Sequence, residues 1–198
     1  MQPSSLNATG FSERLTWPAS ELLKPFYHEA GHAVVARITG FDVAWVSVDE
    51  DFLRNDPLAI ANFCDTGSPT CMTLSSALMS PILMKKRALN KSEKEVVISY
   101  CMHVLAGPFA EQYFDPSSYD PAMSERDMQQ VEAVIASVEP SKPLQKKMLD
   151  TAKRNLKKII TSRWGDIESV SNALNEQKTL SGDEIDKLID LSVLKGAA

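Results

Sequence analysis

Two of the chain's three histidines stand four residues apart, inside "FYHEAGHAVVARITG", Phe26 to Gly40. No other feature constrains the fold as much. On an α-helix, residues i and i+4 differ by about 40° in direction and by ~6 Å along the axis. His28 and His32 then project from one face and can converge on one point. Glu29 lies about 100° further round. It can reach a small molecule held at that point but is not aligned as a third ligand. Behind them Phe26, Ala30, Ala33, Val34 and Ile38 recur near helical spacing and supply a core-facing stripe. Gly40 suits the end of such a helix, and Pro25 suits its start or a kink.

His28-Glu29-Ala30-Gly31-His32 is an H-E-x-x-H arrangement. Imidazole ligands with an open coordination position suit zinc and hydrolysis. Glu29 is then the general base: it accepts a proton from a metal-activated water and later donates one to the leaving amine. The bland alternative is a helix that carries two histidines and no metal. Small residues after the motif let the helix pack closely, which favours the working site.

At 198 residues the chain suits one domain and buries roughly 70% of its unfolded surface. The net charge of −5 argues against a chain built as a whole for nucleic acid or anionic lipid. The basic runs Lys85–Lys94 and Lys146–Lys158 read as solvated helix faces. The longest apolar run, Val96–Gly107, is about 12 residues, against the ~20 that a membrane span needs. Residues 1–19 lack the pattern of a secretory signal and read as a flexible lead-in to a domain over 20–198. Three cysteines without a C-x-x-C pair favour a reducing, cytoplasmic setting.

The expected fold class is mainly α (α+β), with a small β element. Asp42–Asp51 reads as a strand and Pro57–Cys64 as a weaker one. Leu74–Leu89 reads as helix interrupted at Pro81. Ser92-x-x-Glu95 reads as a capping box opening a long helix to about Tyr113, bent or broken at Gly107-Pro108. Asp115–Ala122 reads as loop, Ser124–Val138 as helix. An amphipathic helix follows the 140–143 joint and runs to about Trp164. Two short helices close the chain, the last capped by Ser181.

"YHEAGHAVVARITG" resembles the zinc helix of the FtsH-type ATP-dependent zinc metalloproteases. "VLAGPFAEQYF" (Val104–Phe114) is similar to that family's Gly-Gly-Arg-Ala-Ala-Glu-Glu helix. "MSERDMQQVEAVI" (Met123–Ile135) resembles its Ser-Asn-Asp-Leu helix, and "EQKTLSGDEIDKLI" (Glu176–Ile189) its closing segment. The four stretches follow the family's order and cover about half of the chain.

The resemblance implies a zincin-like helical metalloprotease domain acting on unfolded or flexible polypeptides. It implies Zn2+ held by His28, His32 and Asp127, with Glu29 as base. Glu125, Asp120 and Glu111 stay open as alternative third ligands, and Glu111 also as a partner that orients a zinc-bound histidine. His103 reads as a packed or surface residue. The family's ATPase motif is missing, so the expected partners are a separate ATPase or further copies of the chain. The strand at Val43–Val48 is the expected edge for a substrate peptide. The alternative function is an idle, metal-stabilised binding protein derived from such a peptidase.

Overall fold

The structure, a computed structural model, describes residues 19–55, 70–73, 76–85, 87–117 and 125–189. It is mainly helical with a small three-stranded antiparallel sheet, as the sequence predicts. Among the described residues, no helix is long and apolar enough to cross a membrane. Residues 1–18 of the lead-in, the weaker strand at Pro57–Cys64 and Asp120 lie outside the described residues; Ala19, expected in the lead-in, belongs to the first helix.

Helix α1 spans Ala19–Ile38 and so begins before Pro25, the start or kink that the sequence predicts. A proline removes one N–H and crowds the carbonyl four residues back. Here that cost falls in the second turn, on an exposed position, while the rest of the helix is held by burial. Gly40 ends it as expected, at φ 89°. The Phe41 amide returns to Ala36 O at 2.9 Å and the Gly40 amide to Arg37 O at 3.3 Å, a Schellman closure.

Strand β1 is Val43–Ser47, shorter than the expected strand. Asp49 stops it: its Oδ1 accepts the amides of Asp51 at 2.9 Å and Phe52 at 3.2 Å. That turns the chain into the short helix α2, Glu50–Asn55. Strand β2 is Thr70–Thr73 and β3 is Thr179–Ser181. The sheet order is β2-β1-β3. β1 is therefore central and is not the edge on which a peptide lies. Both of its sides are already paired, through Val46 with Cys71 on one and with Leu180 on the other.

Helix α3 is Ser76–Leu83, with Pro81 inside. Helix α4 spans Lys91–Phe114, and its capping box is Asn90–Glu93 rather than Ser92–Glu95. The Glu93 amide donates to Asn90 Oδ1 at 2.9 Å, and the Asn90 amide donates to Glu93 Oε2 at 2.8 Å. Glu93 also holds Lys85 and Arg87, which decides for it over the exposed Glu95. Helix α4 continues unbroken through Gly107 and Pro108, both buried.

Helix α5 is Glu125–Val138. Helix α6, Lys142–Ser162, has Pro143 in its first turn. Trp164 opens α7, which runs to Gln177 and ends at left-handed Lys178. Ser181 and Glu184 form a capping box at the start of α8, Gly182–Leu188.

Helices α1 and α4 form the central pair; α6 and α7 pack against them. Their approach is set by small side chains. A Cβ on Gly31 would lie 2.7 Å from Ala106 O and 2.8 Å from Ala110 Cβ. Ala30, Ala33, Ala106 and Ala110 are fully buried along the same contact. That close crossing brings the His28–His32 face onto α4.

Candidate metal centre

The helical spacing of His28 and His32 brings their Nε2 atoms to 2.9 Å of each other. Asp127, in the first turn of α5, places Oδ2 3.8 Å from His28 Nε2. One ligand atom from each of the three lies within 4.8 Å of the others. Two nitrogens on a tetrahedral zinc ion stand roughly 3.3 Å apart, given bonds of about 2.0–2.1 Å. The donor set and its spacing therefore fit zinc.

Each imidazole is oriented from behind. His28 Nδ1–H donates to Glu111 Oε1 at 2.6 Å, and His32 Nδ1–H donates to the carbonyl of His103 at 2.8 Å. Protonation of both Nδ1 atoms directs both Nε2 atoms to the shared point. Gly107 supplies the space: a Cβ there would overlap Nε2 of both histidines.

The electrostatics are uneven. Burial opposes a charge on His28, but the Glu111 hydrogen bond and the charges of Glu29, Glu111 and Asp127 outweigh it. Its pKa is pushed up to about 9. Burial, then the His28 and His103 charges, hold His32 well below the usual imidazole range. The 2.9 Å contact between the rings thus carries a proton on the His28 side, and a divalent cation held there would have to displace it.

Glu29 is 4% exposed. Among the described residues, its Oε2 has no hydrogen-bond partner. Burial first, then Asp127 and Glu111 acting against His28, push its carboxyl up to about 7. Such a carboxyl is suited to exchange a proton near neutral pH. Burial also raises Asp127, against the pull of His28 and Arg126.

The other candidates separate clearly. Glu125 is exposed and its Oε1 accepts from Gln129 at 2.8 Å, turned along its own helix. Glu111 engages the back of His28 and not the shared point. His103 is packed, as expected. Its ring packs against Phe41 and Tyr100, with centroids 5.8 Å from each, and burial pulls its pKa down to about 4. Two functions went unforeseen: the His103 carbonyl behind His32, and the clearance at Gly107. The second had a signal, a glycine within a long apolar helix.

Strand β2 runs beside this centre. Thr73 Oγ1 lies 3.2 Å from His103 Nε2. Burial raises the Cys71 thiol well above its usual range, and the Glu29 charge adds to it. Among the described residues, no strand pairs with the outer side of β2. No protein-family model matches the chain, and no curated protein matches it.

Proposed function

We propose that the chain is a zinc metalloendopeptidase of the kind its FtsH-type resemblance implies, hydrolysing unfolded or flexible polypeptides. One observation carries the reading. Two imidazoles with fixed tautomers and one carboxylate converge beside a buried glutamate with an unpartnered oxygen.

In this reading His28, His32 and Asp127 hold the ion. Zinc would supply a Lewis acid that polarises the scissile carbonyl and makes water nucleophilic near neutral pH. Glu29 accepts the proton that water loses on attack and delivers it to the leaving amine nitrogen. Glu111 and the His103 carbonyl keep the imidazoles aimed. The outer side of β2, rather than β1, is the place for an extended peptide to add as a strand. Its backbone groups would fix the register of the scissile bond beside Glu29.

The test uses the purified, untagged chain. It should contain about one zinc per chain and cleave casein, with cleavage stopped by a chelator. Glu29→Gln should keep the zinc and lose cleavage. A zinc-loaded parent that cleaves nothing would favour the metal-stabilised binding protein. A Glu29→Gln variant as active as the parent would sink the mechanism.

A further inference from the structure

The solvent face of α3 clusters exposed apolar side chains that elsewhere among the described residues stand singly, as Tyr113 does on α4 and Leu144 on α6. Exposed positions on α6 are mostly charged, among them Lys146, Lys147, Asp150, Arg154, Lys157 and Lys158. On α3 the core side is Met79 and Ile82, as expected of an amphipathic helix. The outer side is also apolar: Leu78 is 48% exposed, Leu83 41% and the following Met84 82%. Pro81 is exposed between them, and Ser80 is the polar exception among the side chains described there. Met84 keeps the helical turn, its amide 3.1 Å from Ser80 O. A helix apolar on both faces with one face in water marks an interaction site.

Cations stand next to this tip. Lys85 and Arg87 are held there by Glu93, and the Lys91 side chain, 93% exposed, pairs with Glu95 at 3.9 Å within reach of solvent. From Met84 to Glu95 the sequence carries five Lys or Arg and two Glu, against −5 for the whole chain. Three exposed side chains and one proline make a patch far smaller than the roughly 800 Å² each partner buries in a stable protein interface. A small apolar tip with a cationic collar matches a lipid surface better than a second copy. Its long, flexible side chains can enter the boundary between headgroups and acyl chains, and its cations can meet phosphate.

We propose that α3 and the turn after it dock the chain peripherally on an anionic bilayer, with Leu78, Leu83 and Met84 inserted and Lys85, Arg87 and Lys91 on the headgroups. This goes beyond the peptidase reading and does not depend on it.

Flotation of the full chain with vesicles tests it. Vesicles of phosphatidylcholine mixed with phosphatidylglycerol should bind at least about tenfold more strongly than phosphatidylcholine alone. Added salt should weaken the binding. Leu83→Ser with Met84→Ser should lower it at least about tenfold, and Met84→Ser alone, at a side chain 82% exposed, should lower it while leaving the thermal midpoint in place. Lys91→Glu should reduce the preference for the anionic vesicles. Absence of binding, equal binding to both vesicles, or binding untouched by the double substitution would overturn the proposal. So would a dimer in sedimentation velocity that Met84→Ser abolishes, which would assign the face to a second copy.

Discussion

At His28 one ring nitrogen faces the shared point and the other faces Glu111 at 2.6 Å. Glu111→Gln can still accept that hydrogen bond but loses the charge. Zinc affinity should fall roughly 10–100-fold, read by competition with a chromophoric chelator; an unchanged affinity would count against Glu111 as the orienting group. Gly107→Ala puts a methyl group into Nε2 of both histidines, so zinc content should drop to near zero. The same scale shows what a sequence can and cannot reveal. His28, Glu29 and His32 were legible because helix geometry turns spacing into direction. Asp127 was reachable only through the resemblance, since an acid in the first turn of a helix is commonly a dipole partner. The His103 carbonyl left no trace in the sequence, because every residue has one. Gly107 was visible, but its helix-weakening property hid its role as clearance.

The α1–α4 crossing makes a prediction whose sign is decided by magnitude. Alanine is favoured over glycine in a helix by about 1 kcal/mol. A Cβ at Gly31, however, would sit 2.7 Å from Ala106 O, a main-chain atom that moves only with its helix. Overpacking of this kind costs about 1–3 kcal/mol, so Gly31→Ala should lower the urea midpoint; a raised midpoint would refute the close crossing. The N-terminus of α4 gives a pH-dependent counterpart. Lys85, then the Asn90 amide and Arg87, pull the Glu93 carboxyl from 4.5 down to about 2. A depressed carboxylate stabilises the fold above its unfolded pKa and loses that contribution as pH falls towards the folded one. Glu93→Gln should therefore be less stable than the parent at pH ~7, and the gap should close between pH ~4.5 and ~2, followed by urea unfolding across that range. The long helices were readable from their periodicity. β2 and β3, four and three residues long, are too short to show alternation, and the central place of β1 depends on that unseen β3.

Across the whole molecule, the candidate centre joins parts that otherwise meet little. α5 packs on α4 and α6, whereas α1 packs on α4 and α7. An ion shared by His28, His32 and Asp127 would tie α1 to α5 directly, across about a hundred residues of sequence. The unfolded chain has no such convergence, so zinc should bind the native state preferentially. Free zinc at a hundredfold excess over Kd then adds about 2.7 kcal/mol. For a chain of this length that is roughly 5–10 °C in thermal midpoint. The increment should vanish with a chelator and return when zinc is restored. Asp127→Asn keeps the shape of the side chain but removes its charge, and should shrink the increment to a few degrees at the same zinc concentration. Glu125→Gln, on the exposed side of the same helix turn, should leave it whole. An equal loss from the two substitutions would mean that the effect follows the charge of α5 and not ligation, and would remove Asp127 from the ligand set.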